Sequence, residues 1–158
     1  MMPAAESCAM GVWLSMPPGS TSLPLASMSV APFGKPYDFA VAKDSRTFPD
    51  LLTPKGLAEV KTYADGIGPN KAMVIPRTLI GNLGEATALV ADAHAVGLKV
   101  HPWTFRRENF FLPLAQKSSV NPAAHGDVVT EIRFFIAAGV DGFFSDNVAE
   151  AYSARAEP

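Results

Sequence analysis

The stretch of the chain that is richest in chemically useful side chains is VHPWTFRRENFFLP, residues 100–113. It begins with the alternation of a β-strand and continues into two arginines and a loop rich in aromatic residues and proline. Because side chains alternate between the faces of a strand, His101 and Trp103 are expected on the same face. The guanidinium of Arg106, at the end of the strand, matches the oxygens of a phosphate better than an ammonium does. These residues predict a site that binds an anion beside an aromatic ring.

Each of these residues also has a purely structural interpretation. Trp103 could be a core tryptophan, and His101, without an evident carboxylate partner, could be a hydrogen-bonded core histidine. Arg106 could anchor the loop by pairing with Glu108 or another carboxylate. Arg107 would point away from Arg106 if the chain stays extended. Contact with a small-molecule ligand is predicted for Trp103, Arg106 and His101, and these structural alternatives stay open.

The remaining polar candidates are less specific. Asn70 and Lys71 end an earlier predicted strand and could face the same predicted binding site. His94 is predicted on a helix and His125 in a loop, and no pair among the three histidines has the spacing of a metal site. The single cysteine, Cys8, allows neither a disulfide within the chain nor a thiolate metal site. No metal-binding residue is predicted.

Composition limits the class of protein. The chain has 158 residues, 48% of them apolar, which suits one globular domain with a real core. With 13 Lys and Arg against 15 Asp and Glu, the net charge of -2 gives no general attraction to nucleic acid or to an anionic membrane. No segment approaches the roughly 18 consecutive apolar residues of a spanning helix. We therefore expect neither a nucleic-acid partner nor a membrane span.

The N-terminal segment has a different character from the rest. Residues 1–32 are rich in methionine, proline and serine and show no clear periodicity, which predicts an irregular arm of unclear origin with at most a weak strand in LASMSVA. The segment lacks the basic start and continuous apolar run of a signal peptide. The cellular compartment is left undetermined.

From residue 33 onward, predicted strands and helices alternate. The first clear helix should begin with Thr53 as its cap and Pro54 at its first position, and it leads to the strand ADGIGPN, residues 64–70. The second should begin at Asn82, in a capping box with Glu85. It should end at Gly97, in a left-handed cap.

The second half of this region continues the pattern. The strand LKVHPWTF, residues 98–105, is followed by a long connection, residues 106–126. A third helix is predicted from the cap Asp127 to Gly139, and a last strand, VDGFFSD, at 140–146. Connections this long in compact domains are usually functional or disordered. Two successive strand, helix, strand crossovers predict parallel strands covered by helices, an α/β fold.

Several of these stretches, in this order, resemble one family. They are YADGIGPNK, LVADAHAVGLKVHPWTFRRENFFLP and GVDGFFSDN, preceded by GKPYDF and DLLTPKGLAEV. They are similar to the C-terminal part of the glycerophosphodiester phosphodiesterases of the periplasmic and extracellular type, over roughly residues 33–150. The resemblance implies a partial (β/α)8 TIM barrel, with ADGIGPN, LKVHPWTF and VDGFFSD as about strands six to eight, in a domain spanning 33–158.

The resemblance also implies an activity, the hydrolysis of glycerophosphodiesters to glycerol 3-phosphate and an alcohol. In the family, histidines exchange protons and a divalent cation, calcium or magnesium, offsets the charge of the phosphate. Trp103 occupies the position of an aromatic residue that lines the family's substrate cleft. Members of this type are often periplasmic or secreted. Asp146 could be a site residue or the cap of a final helix, because Val148 stands where the family has proline.

The family's catalytic motifs are missing from this sequence. It contains no His-Arg dipeptide and no Glu-x-Asp or Glu-x-Asn metal motif. The similar stretch EVK at Glu59 falls on a predicted helix and is interpreted as solvated surface. We therefore expect the C-terminal half of such an enzyme, from a truncated or split coding region. Such a chain would have no catalytic residues of its own and no bound metal.

One alternative is a non-catalytic half barrel that binds or assembles, either with a copy of itself or with a separate N-terminal half. Exposed edges of a parallel sheet favour such pairing, because a partner would cover them. A weaker alternative is another (β/α)8 enzyme that handles phosphate, since fold alone does not determine chemistry.

Overall fold

The computed structural model describes residues 12–15, 27–31 and 33–156. In this part of the chain, the strands are β1 (Val12–Ser15), β2 (Ser27–Val30), β3 (Gly66–Pro69), β4 (Lys99–Val100) and β5 (Gly142–Ser145). The helices are α1 (Tyr37–Val41), α2 (Phe48–Leu51), α3 (Pro54–Val60), α4 (Lys71–Val74), α5 (Leu89–Ala95), α6 (Val128–Ala137) and α7 (Val148–Ala156). After residue 33, three short helices precede β3, and from β3 onward one or two helices separate each strand from the next.

Three strands form a parallel sheet in the order β2, β3, β4. The segment that follows β4 reaches β5 through a parallel bridge between Phe105 and Ser145. On its other side, β5 pairs antiparallel with β1. Helices lie in the crossovers from β3 to β4 and from β4 to β5. This mixture of helices and parallel strands agrees with the predicted α/β class.

The helix ends confirm most of the predicted caps. The Thr53 side chain accepts a hydrogen bond from the Gly56 amide at 3.2 Å, and Asp127 accepts one from the Thr130 amide at 2.9 Å. Each bond satisfies a backbone donor that the first turn of a helix leaves free. Gly97 and Gly139 end α5 and α6 at φ values of 79° and 91°, a region that glycine adopts at little steric cost.

The second of the predicted helices, α5 in the structure, is shorter than predicted, and its predicted capping box is wrong. α5 begins at Leu89 and not after Asn82. The Asn82 side chain instead accepts a hydrogen bond from the Ala115 amide at 3.0 Å, so it ties the β3–α5 connection to the long loop. The sequence pattern failed here because a tertiary hydrogen bond competes for the same carboxamide.

The fourth strand is also shorter than predicted. Regular pairing covers only Lys99–Val100, and the chain then continues through isolated bridges at Trp103 and Phe105. Phe105 is fully buried and packs edge to face on Phe135 and Phe143, with ring centroids 4.9 and 5.5 Å apart. This aromatic cluster packs the segment after β4, from which the long loop begins, against α6 and β5.

The N-terminal segment contributes to the sheet. The weak strand predicted in LASMSVA is present as β2, and its register places Ser27 opposite Gly66 and Val30 opposite Pro69. Residues 12–15 of the predicted irregular arm form β1, a strand that the sequence did not predict. Apart from residue 31, the rest of the arm lies outside the described residues.

Candidate ligand-binding cavity

A cavity of about 650 Å³ opens at the carboxyl ends of the parallel strands. Asn70 follows β3 directly, Trp103 follows β4 after two residues, and Asp146 follows β5 directly. All three line the cavity, together with Lys71, Ala72, Ile75, Arg77, Leu83, Thr104, Arg106, Phe110, Phe111, Glu131 and Phe135. The carboxyl ends of parallel strands are where α/β folds place their ligand sites, and this volume suits a small molecule.

Trp103 is held in a fixed orientation at the cavity wall. Its indole Nε1 donates to the Gly68 carbonyl at 2.7 Å, and its backbone amide donates to the Pro69 carbonyl at 3.1 Å. Both acceptors belong to β3, so the strand beneath the cavity orients the ring. The half-buried indole can then offer its apolar face to a ligand at little cost in side-chain entropy.

Arg106 lines the cavity and is also paired with two carboxylates. Its Nη2 lies 3.3 Å from Glu108 and its Nε lies 3.2 Å from Asp146. Its guanidinium stacks over the Phe111 ring, 4.5 Å from the centroid. The predicted loop anchoring is therefore present, and the predicted place beside the cavity is present too.

Arg107 points elsewhere, as the alternation predicts. Its Nη1 pairs with Glu150 on α7 at 2.7 Å. Its backbone amide donates to the Asn147 side chain at 2.9 Å, at the end of β5. Among the described residues, the set that lines the cavity does not include Arg107.

Lys71 and Glu131 form a buried ion pair in the cavity wall, with Nζ and Oε1 2.7 Å apart. Glu131 is completely buried, and Lys71 is 14% exposed. Burial raises the pKa of Glu131 and lowers the pKa of Lys71, while the charge of each partner opposes the shift. The ammonium also donates to the Phe111 carbonyl at 3.3 Å and lies 5.1 Å from the Phe105 ring centroid.

Arg77 joins this group from the connection between β3 and α5. Its Nη2 donates a hydrogen bond to the same Phe111 carbonyl and lies 4.0 Å from Glu131 Oε1. Its backbone forms a bridge with Leu83, which also lines the cavity. Two basic side chains therefore meet at one carbonyl of the long loop and at one buried carboxylate.

His101 does not reach the cavity. It is only 3% exposed, its backbone amide donates to Ile67 at 2.9 Å, and the described residues that line the cavity do not include it. Burial lowers the pKa of His101, and the charge of Lys99 adds to this shift while the charge of Asp141 opposes it. The lowered pKa favours the neutral ring. This burial, and its place outside the set of lining residues, favour the core interpretation of His101, while its predicted contact with a substrate stays a prediction.

Comparison with known proteins bears on what this cavity serves. The sequence profile of the glycerophosphoryl diester phosphodiesterase family matches residues 20–150. The chain belongs to this family. A curated relative, glycerophosphodiester phosphodiesterase GDPD6 of Arabidopsis thaliana, is 35% identical over 105 residues, which are 65% of this chain. The matched part is 25% of the relative's length, so this family member spans about a quarter of that protein.

The cavity residues of this phosphodiesterase family member do not fit a divalent cation. Of the two carboxylates that line the cavity, Glu131 pairs with Lys71 and Asp146 with Arg106. Over residues 12–15, 27–31 and 33–156, no group of three or more His, Cys, Asp or Glu side chains is close enough to hold a metal ion. His94 bonds to Asp141 at 2.8 Å, away from the cavity.

Sequence reasoning placed some of these residues and missed others. The cavity brings together the predicted Trp103 and Arg106, and also Asn70 and Lys71. Asp146 lies in the cavity and precedes α7 by two residues, so the site interpretation fits it better than the cap.

Arg77 and Glu131 were missed. Glu131 carried a signal, because it lies on the same helical face as Val128 and Phe135, which are buried. Arg77 follows a proline in an irregular connection, and no periodicity marks it.

In the described part of this family member, no helix is long and apolar enough to cross a membrane.

Proposed function

We propose that the chain forms the phosphodiester-binding part of a glycerophosphodiester phosphodiesterase barrel. In this proposal β3, β4 and β5 stand in the places of the sixth, seventh and eighth strands of a (β/α)8 domain, with β2 beside them. The parallel pairing of β3 with β4, the parallel bridge from Phe105 to β5, and the cavity at the carboxyl ends of these strands support the assignment, since barrel enzymes bind substrate at that face. The reaction assigned to the complete site is hydrolysis of a glycerophosphodiester to glycerol 3-phosphate and an alcohol.

One observation carries the proposal: a fixed indole and a group of cations share one cavity. Trp103 would pack against the glycerol or the leaving alcohol, and the basic side chains would bind the phosphate. The ligand's charge would be held in a partly dry site, where each charge-assisted hydrogen bond is stronger than in open water. In this proposal the described residues bind and orient a substrate.

The groups that break the bond are proposed to come from elsewhere. The sequence lacks the family's His-Arg and Glu-x-Asp motifs, and His101 lies outside the cavity. We assign proton transfer to histidines that the 158 residues do not contain. A calcium or magnesium ion, which would offset negative charge on the phosphate, would likewise be held by a separate set of carboxylates.

The proposal is tested by measuring binding and turnover separately. The purified chain should bind glycerophosphocholine or glycerol 3-phosphate but should not hydrolyse glycerophosphocholine above background with added calcium or magnesium. Trp103→Ala should weaken binding by about tenfold, since a buried aromatic contact contributes about 1–3 kcal/mol. Hydrolysis that survives repurification would contradict the assignment of catalysis to residues outside the chain. Absence of any binding would contradict the substrate-binding role.

A second candidate is assembly of a half barrel, either with itself or with a separate N-terminal half. It is favoured by β2, which lies at the edge of its sheet, and by α1, which has no buried residue and leaves Tyr37 85% exposed. Such an edge and apolar surface could be covered by a partner. The molar mass in solution distinguishes this candidate from a substrate-binding monomer.

A further inference from the structure

The two arginines that line the cavity differ in how fully their charges are neutralised. Arg106 lies 3.2 Å from Asp146 and 3.3 Å from Glu108, so one guanidinium faces two carboxylates. A phosphate that approached Arg106 would be repelled by both carboxylates at short range. Its binding to Arg106 alone would require one of these ion pairs to open.

Around Arg77 the balance of charge is the opposite. Among the described residues, the nearest carboxylate oxygen to Arg77 is Glu131 Oε1, which is 4.0 Å away and already accepts a hydrogen bond from Lys71 at 2.7 Å. Two cations therefore share one carboxylate, and this group keeps a net positive charge when all three side chains are ionised. Of the two arginine environments in the cavity, this one attracts an anion and the other does not.

Arg77 is also placed to reach a ligand. Its side chain is 35% exposed and lines the cavity, while its backbone is fixed by the bridge to Leu83. Its Nη2 is used by the Phe111 carbonyl. A guanidinium carries five N–H donors, so several stay available for the oxygens of a phosphate.

Phe111 brings the two arginines to the same part of the wall. Arg77 bonds to its carbonyl, and Arg106 stacks on its ring at 4.5 Å. Lys71 donates to the same carbonyl and is held by the buried Glu131. Lys71 and Glu131 are therefore positioning residues, because their contacts fix the loop segment on which both guanidinium groups rest.

We propose that Arg77 is the principal phosphate-binding side chain of this cavity and that Arg106 is a secondary contact restrained by Glu108 and Asp146. The inference rests on the proposed function, because it names the group that holds the phosphate of a glycerophosphodiester or of glycerol 3-phosphate. It moves the centre of the phosphate subsite from the start of the long loop to the connection after β3.

The test is a calorimetric titration of the full chain with glycerol 3-phosphate, in which Arg77→Gln, Arg106→Gln and Arg107→Gln are compared. Arg77→Gln should raise Kd by about tenfold or more, the usual effect of losing a charge-assisted hydrogen bond. Arg106→Gln should have a smaller effect. Arg107→Gln is the matched control and should stay within about twofold, because Arg107 pairs with Glu150 outside the cavity.

A second measurement avoids substitution, because Arg77→Gln also removes the bond to Phe111 and could disturb the loop. In nitrogen-15 spectra of the unchanged chain, the Arg77 Nε–H resonance should shift during titration with the Kd found by calorimetry. The Arg107 resonance should not shift. Inorganic phosphate should produce the same pattern, and neutral glycerol should not.

The outcomes separate this inference from the proposed function. If binding depends on Trp103 and Arg106, and either the Arg77 Nε–H resonance does not shift or Arg77→Gln leaves Kd unchanged, the role of Arg77 is overturned. The proposed substrate-binding function is then unaffected. If neither glycerol 3-phosphate nor inorganic phosphate binds the unchanged chain, both proposals are overturned. Equal binding of glycerol and glycerol 3-phosphate would overturn the phosphate subsite alone.

Discussion

Glu131 is a fully buried carboxylate between α6 and the cavity, and its Oε1 accepts a hydrogen bond from Lys71. Transfer of both charges from water is costly, and the pair offsets this cost only while both partners are present. At the scale of single residues, the pair therefore serves to hold Lys71 and the Phe111 carbonyl in place more than to add stability.

Removing one partner should be more damaging than removing both. Glu131→Leu should lower the free energy of unfolding by about 3–5 kcal/mol, because it leaves a buried ammonium unpaired. The double variant Glu131→Leu with Lys71→Met should recover a large part of this loss. Urea denaturation of both single variants and the double variant measures the effect. A double variant that lost the sum of the two single effects would contradict the coupling.

Secondary-structure elements are joined at the amino ends of the strands by Asp141. This residue precedes β5, and its carboxylate accepts hydrogen bonds from His94 on α5 at 2.8 Å, from Lys99 at 3.1 Å and from the Val100 amide at 2.9 Å. Burial opposes its ionisation, but these donors outweigh burial and lower the pKa of Asp141 below its usual 3.8.

Asp141→Asn should therefore destabilise the chain without changing ligand binding. The expected loss is about 1–3 kcal/mol at neutral pH, since hydrogen bonds from charged donors are weakened. The folded-state pKa lies below the unfolded one, so the carboxylate stabilises above about pH 4 and its contribution is lost as pH falls further. Unfolding free energies of the two proteins, measured from pH 7 to pH 3, should converge at low pH. A constant difference would contradict this.

The sequence predicted the existence of these helices and strands better than the residues at which they begin and end. Local signals sufficed for the caps of α3 and α6, because Thr53 and Asp127 bond to amides three residues away. They failed for the start of α5, because Asn82 bonds to Ala115, 33 residues further along the chain. A capping pattern cannot reveal a distant donor that competes for the same side chain.

At the scale of the whole molecule, the sheet order β2, β3, β4 leaves β2 at an edge. Parallel strands that are exposed at an edge offer unpaired backbone groups to other chains. Both proposed functions leave the edge of β2 to be covered. In a barrel the missing strands would cover it, and in an assembly a partner chain would.

Assembly can be tested through the edge strand and α1. If a partner covers them, the chain should elute as a dimer or larger species, and light scattering should give at least twice the mass of 16.7 kDa. Tyr37→Lys should then shift the population towards the monomer, because it places a charge on an apolar surface. Phe110→Lys, at the cavity mouth, is the control and should not. A stable, folded monomer at all concentrations would count against assembly.

The sequence by itself determined the α/β class, the family and the polar ends of the strands. Strand and helix periodicity is a local property, and motifs such as KVHPWTFRR and GVDGFFSD can be recognised directly in the sequence. Only the tertiary structure decided which charges compensate each other. Arg77 and Glu131 are 54 residues apart in the chain and lie 4.0 Å from each other, while Glu108 and Asp146 converge on Arg106. Electrostatic balance depends on distances in space, and spacing along the chain does not contain them.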